Sequence, residues 1–324
     1  MQEAIYSFGA RKLVENVGNI KPHEKVLIVS DFAMKVIAER LTCAVSAIGA
    51  ECVVCYMKPR EWDCQEPPEM IAEAMKKADV ILTPVSVSIA WTNAITNAKK
   101  NGARVMLMTG FTDEIFARPA LVLTNFQEQA KLCAKLADIY DKASRVRLYT
   151  EKGTDFTFEK QGRYANKVGP IPVSGECRAA PDIEINIVPI EGTSQGKLVV
   201  DGSIPYLGIG VLDTSVEFVV KDGLIVSITG DRNAQKLADN LAQFENQNVY
   251  NIAEFGIGLN PNACLSGVML EDEGVFGTVH IGIGSSCHFG GLVDAPIHYD
   301  LLIKNVCIEL DGKLIQRGRE IFFD

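Results

Sequence analysis

KVLIVSDFAMKVIAERLTCAVSAIGAECVVCYM, residues 25–57, decides the architecture of the first half of the chain. KVLIVSD (25–31) is a β-branched run, residues 32–48 carry apolar positions at helical spacing up to Gly49, and CVVCYM is a second strand. The alternation continues outward. PEMIAEAMKKAD (68–79) reads as an amphipathic helix, VILTPV as a strand, the stretch ending KKNG as a helix, and ARVMLMTG as a strand. NFQEQAKLCAKLADIYDKA (125–143) closes the series as a long helix. Strands separated by helices of this length imply an α/β domain with a parallel sheet covered on both faces. SDFAMK after the first strand contains no GxGxxG and no GxxxxGK[ST], so no glycine loop cradles a pyrophosphate there. Residues 1–144 are therefore read as a Rossmann-like scaffold that shapes a substrate site.

From about residue 145 the texture changes. RVRLYTEKGTDFTFEK alternates around a Gly turn, and EFVVKDGLIVSITG and VCIELDGKLIQRGREIFF carry Asp-Gly hairpin signals at 222–223 and 311–312. One clear helix, NAQKLADNLAQF (233–244), interrupts them. Residues 145–324 are read as a mainly antiparallel β domain.

Composition bounds the partners. The chain has 324 residues, 47% of them hydrophobic, and a formal net charge of −9. That balance argues against nucleic acid or an anionic membrane, both of which call for a basic face. No apolar run reaches the roughly 20 residues of a bilayer crossing, and the N-terminus lacks a signal-peptide pattern. A cytoplasmic protein is expected, its nine cysteines reduced. Cys52 and Cys55 have CxxC spacing without a second CxxC, and their apolar flanks read as core.

Chemistry concentrates near the C-terminus, where three of the four histidines lie at 280, 288 and 298. His298 and Asp300 in PIHYDLLI stand at i and i+2, so a strand points an imidazole and a carboxylate to one face, a ready pair of metal ligands. AEFGIGLN and VHIGIGSS repeat a second pattern: Glu254 heads a face shared with Gly256 and Gly258, and His280 one shared with Gly282 and Gly284. Glycine in a strand often marks the close approach of a ligand or another backbone, here read as room for an ion and a substrate. Glu176 in SGECRAAPD is a further candidate carboxylate, while EDE (271–273) reads as a charged turn. Ser285, Ser286, Cys287 and His288 are adjacent in sequence without forming a nucleophile elbow.

The order GE…AP, AEFGIG, a His strand and a closing HxD strand resembles the aminopeptidase T / aminopeptidase S family of metallo-aminopeptidases, over most of the chain. The resemblance implies a homodimer with a metal-binding β domain and a divalent site of two Zn, Co or Mn ions. Its ligands would be Glu176, Glu254, His280, His298 and Asp300. It implies Glu254 or Glu176 as the bridging or general-base carboxylate, His288 near the place of a catalytic Tyr, and Arg178 as a partner for a substrate carboxylate. On this reading the chain is a metal-dependent hydrolase acting on a peptide or amide bond. An alternative lies within the same fold: 2,5-dihydroxypyridine 5,6-dioxygenase, which uses one Fe(II), and whose two imidazoles and one carboxylate would be His280, His298 and Asp300. A non-catalytic relative of the fold is the third reading.

Overall fold

The computed structural model describes residues 2–168 and 172–323, and the side chains of Lys167, Val168 and His288 lie outside the described set. The chain forms two compact units, Met1–Ala130 with Gly169–Pro181, and Lys131–Val168 with Asp182–Asp324. A single cut after residue 144 does not express this division. The reason is the three-residue strand Cys177–Ala179, too short to show a periodicity, which pairs in parallel with Arg104–Leu107 and so returns to the first unit.

In the first unit the five strands are all parallel. Their order is Glu51–Met57, Lys25–Asp31, Val80–Thr83, Arg104–Leu107 and Cys177–Ala179. The helices Lys35–Ala47, Glu69–Met75 and Asn93–Lys100 are the crossovers. Leu27, Val29, Ile81 and Val105 of the sheet pack with Ile71, Met75, Ile95 and Ala98 of the second and third of these helices. Gly49, at φ +80°, stops the first helix in the left-handed conformation that a residue without Cβ adopts freely. Asp31 ends the strand Lys25–Asp31, its carboxylate accepting from the N–H groups of Ala33, Met34 and Ser86 and from the Ser86 hydroxyl.

The second unit is mainly antiparallel. An eight-stranded sheet runs from Leu224–Thr229 at one edge to Glu320–Ile321 at the other. Asp222-Gly223 and Asp311-Gly312 turn its hairpins with positive φ at both positions, as type I′ turns require. A five-stranded sheet orders His298–Lys304, Thr278–Gly284, Ile252–Gly258, Glu184–Ile187 and Asn166–Val168. Phe255 of this sheet packs on Phe158 of the larger one, with ring centroids 5.1 Å apart. Alternation along the strands therefore leaves the face opposite Phe255 for polar side chains. No helix among the described residues is long and apolar enough to cross a membrane.

Candidate metal centre

Three adjacent strands bring the histidines and acids together. In the pairing register Glu254 lies opposite Gly282, which lies opposite Asp300; Gly256 lies opposite His280; Gly284 lies opposite His298. On the other side of the Glu254 strand, Gly256 meets Asn186 and Gly258 meets Glu184. Directly paired residues share a face, so Glu184, Glu254, His280, His298 and Asp300 all point the same way.

The glycines make room for the neighbouring imidazoles. A Cβ on Gly256 would lie 1.9 Å from His280 Nε2, and one on Gly282 would lie 2.7 Å from His298 Cε1 and from Glu254 Cβ. The space these glycines leave is filled by the His280 and His298 rings of the adjacent strands.

Two groups of side chains here are able to hold a cation: Glu184 with Glu254 and His280, and Glu254 with His298 and Asp300. Glu254 belongs to both. Its Oε1 is 3.8 Å from His280 Nε2 and its Oε2 is 2.9 Å from His298 Nε2. Glu184 Oε2 stands 3.1 Å from His280 Nε2, and Asp300 Oδ1 stands 3.4 Å from His298 Nε2. Glu184, Glu254, His280 and Asp300 are each at most 5% exposed, whereas the His298 side chain is 21% exposed and marks the open side.

Supporting contacts orient the ligands. Ser285 O lies 2.8 Å from His298 Nδ1, and a proton on that nitrogen leaves the Nε2 lone pair facing Glu254 and Asp300. The Tyr206 hydroxyl donates to Asp300 Oδ2 at 2.6 Å, and the Tyr206 ring stacks on Tyr299 at 4.5 Å. Asp272 is an anchor: it accepts from Ser203 Oγ and from the N–H groups of Ser266 and Gly267.

The donor set fits a divalent cation. Asp182, Glu184, Glu254, Glu273 and Asp300 lie within reach of one another's charge, with two imidazoles, His280 and His298, among the described residues beside them. Asp182 Oδ1 is buried without a hydrogen-bond partner, and Glu184 Oε2 and Asp300 Oδ1 have only an imidazole Nε2 beside them. Buried acceptors of that kind are costly unless protonated or bound to a cation.

The acids divide by environment. Burial, then the charge of Glu254, pushes Asp182 up to about 8. Burial and Asp182 hold Glu184 well above the usual carboxylate range. Burial also raises Glu254 and Asp300, but the two imidazoles outweigh it and both end below that range. For His280, burial disfavours the charge, yet Glu184, Glu254 and Asp300 hold the imidazole up to about 9. His298 is raised in the same way by Asp300 and Glu254. A cation competes with these protons, so its apparent affinity is expected to rise as the pH climbs from neutral towards about 9. Calorimetric titration with Mn(II) in buffers of different ionisation enthalpy measures the proton release; an affinity independent of pH would refute the competition.

Glu254, His280, His298 and Asp300 thus stand together. Glu176 lies in the first unit beside Cys177–Ala179, and the two cation-holding groups do not include it. Its carboxylate pairs with Arg178 Nη2 at 2.8 Å and accepts from the Val173 N–H at 3.1 Å. Arg178 is engaged by that pair and by Cys177 O. His288 falls in the short turn Cys287–Phe289, its side chain outside the described residues.

Sequence reading missed Asp182, Glu184, Glu273 and Tyr206. DIEINI (182–187) carried a signal in its strict alternation of Asp, Glu and Asn with isoleucines. EDE is not a solvated turn either, since Glu271 and Asp272 are buried.

A family model described as NicX: 2,5-dihydroxypyridine 5,6-dioxygenase matches residues 11–321. A 2,5-dihydroxypyridine 5,6-dioxygenase of Pseudomonas putida KT2440 is 25% identical over 228 residues, 67% of this chain and 63% of that protein. The alignment thus spans less than two thirds of that relative's length. The structure of 2,5-dihydroxypyridine dioxygenase from Pseudomonas putida KT2440 is similar at TM-score 0.83 and 18% identity, over 99% of this chain and 98% of that one. AmpT from Thermus thermophilus is similar at TM-score 0.68 and 12% identity, over 99% of this chain and all (100%) of that one. Both structures share the fold with this chain.

The hydrolase reading, with its aminopeptidase and metalloprotease activity, is overturned by the family match. The physical reason is that one order of Glu, His and His-x-Asp strands builds one donor set, and a donor set specifies a cation more closely than a reaction. The resemblance holds for its dioxygenase branch, and the chain belongs to the family of NicX, 2,5-dihydroxypyridine 5,6-dioxygenase.

Proposed function

We propose that the chain is an Fe(II)-dependent ring-cleaving dioxygenase acting on a dihydroxylated aromatic ring of the 2,5-dihydroxypyridine class. The observation that carries this reading is that His280, His298 and Asp300 share one sheet face, His298 and Asp300 in one cation-holding group and His280 in the other, with Glu254 in both, in a chain of this family. Two imidazoles and a carboxylate suit Fe(II) with positions left for other ligands. What Fe(II) supplies when bound is electron transfer between an electron-rich ring and O2.

The chain's own residues do the rest. Ser285 O holds the His298 ring in orientation, and Tyr206 holds Asp300 through its second oxygen. Glu254, in reach of both imidazoles, keeps the two histidines electrostatically linked. Burial and the charge of Glu254 hold Asp182 up to about 8, so without a cation its carboxyl keeps a proton at neutral pH. In the overall reaction both atoms of O2 enter the product and the ring C5–C6 bond breaks.

The test is oxygen uptake after anaerobic loading with Fe(II), using 2,5-dihydroxypyridine. One O2 consumed per ring lost is expected, with no turnover when Zn(II) or Co(II) is loaded. Full iron occupancy without oxygen uptake on this or any other aromatic diol would overturn the reading.

A further inference from the structure

Between the His280 and His298 strands the chain makes an excursion, residues 285–297. Its root is closed by the Ser285 N–H on Ile297 O at 2.8 Å and the Ser286 N–H on Val293 O at 2.9 Å. Its tip, Phe289-Gly290-Gly291-Leu292, is held by side chains distant in sequence. Arg163 Nη1 donates to Gly290 O at 2.6 Å, and Arg163 Nη2 to Glu191 Oε2 at 2.6 Å. Glu191 Oε1 accepts from the Leu292 N–H at 2.9 Å. One ion pair therefore grips both sides of Gly291, and Asn166 Nδ2 adds a bond to Phe289 O at 3.3 Å. Charge-assisted bonds in a fork of this kind are among the strong ones, and neither partner is widely exposed.

What the strap presents is Phe289. Its ring lies 4.8 Å from the His298 imidazole, inclined by 35°. The same excursion supplies Ser285 O to His298 Nδ1. His298 is also the ligand on the open side of the site, so the loop sets both its orientation and the apolar surface beside it.

We infer that the Arg163–Glu191 pair positions this loop so that Phe289 forms the wall on which a flat ring substrate is placed next to His298. Aromatic rings pair favourably in offset or tilted contacts at such spacings. Arg163 and Glu191 are positioning residues; Phe289 is a specificity residue. The wall rests on the dioxygenase reading, whereas the strap does not.

Two measurements on the full chain separate these. Chymotrypsin cleavage after Phe289 is compared between wild type, Arg163→Ala, Arg163→Lys and Glu191→Gln. KM and kcat for 2,5-dihydroxypyridine are then measured by oxygen uptake on the same proteins and on Phe289→Leu, with iron per chain determined for each. Arg163→Ala is expected to be cut about tenfold faster and to raise KM about tenfold, as befits the loss of a charge-assisted pair. Iron content and kcat should hold, and Arg163→Lys should fall between, since it keeps the charge without the fork. Phe289→Leu is expected to raise KM alone. Equal cleavage rates would overturn the strap. Faster cleavage with unchanged KM, in Arg163→Ala and Phe289→Leu alike, would overturn the wall. Iron-loaded wild type that takes up no oxygen overturns the dioxygenase reading and the wall with it, and the cleavage rates then decide the strap by themselves.

Discussion

Gly256→Ala is expected to abolish metal binding at the cost of about 1–3 kcal/mol of stability, the usual range for forcing a methyl group into a packed interior. The added Cβ would lie 1.9 Å from His280 Nε2 and 2.0 Å from Cε1. A ring can swing where a backbone cannot, so the imidazole leaves its place beside Glu184 and Glu254, and the strand survives. Gly258→Ala should show the reverse balance. Its Cβ would meet two backbone oxygens, Val275 O at 2.2 Å and Glu273 O at 2.7 Å, so stability falls further. Thermal unfolding and Mn(II) titration on both variants check this. Wild-type metal affinity in Gly256→Ala would show that His280 is not a ligand.

Glu254→Gln should lower metal affinity at least about 100-fold, since even outer-shell partners of ligands are worth about 10–100-fold. The substitution keeps the shape and removes one charge, but that charge serves both imidazoles, through Oε1 and Oε2. Oxygen uptake should vanish with the metal. Stability without metal should fall modestly at neutral pH, because the two imidazoles hold Glu254 below the ordinary carboxylate range and its charge therefore favours the folded state. Asp182, relieved of a like-charged neighbour, should fall from about 8 towards the ordinary range. Unchanged metal affinity would remove Glu254 from the centre; a large loss of thermal stability would show that its role is structural instead.

Much of this was legible in the residues. Alternating β-branched runs and helical spacings in 25–110 correspond to the parallel sheet, and the two Asp-Gly pairs correspond to the type I′ hairpins. His298 and Asp300 share a face because successive side chains on any strand alternate. DIEINI was equally readable, and its Glu184 stands in one of the cation-holding groups. Other features had no local signal. Cys177–Ala179 is too short for any periodicity, and it carries Glu176 and Arg178 into the first unit. Tyr206 follows a two-residue strand in a stretch whose sequence shows no ligand pattern, yet it grips Asp300.

The reaction was the least legible. Glu254, His280, His298 and Asp300 occur in the same order whether water or O2 is the co-substrate, so their spacing does not distinguish hydrolysis from ring cleavage. Kinship across residues 11–321 sets the hydrolase reading aside and supports the dioxygenase proposal. What the chain's local chemistry settles is which side chains share a face, where helices stop and where hairpins turn, all consequences of backbone sterics over a few residues. Which strand lies beside which, and in what register, belongs to tertiary structure. Gly256 falls opposite His280, and Gly282 falls between Glu254 and Asp300, because the opposite face of the same sheet buries Phe255, Ile281 and Leu301. A slip of one residue would turn every ligand into that apolar core, so the packing of the hydrophobic face is what assembles the polar one.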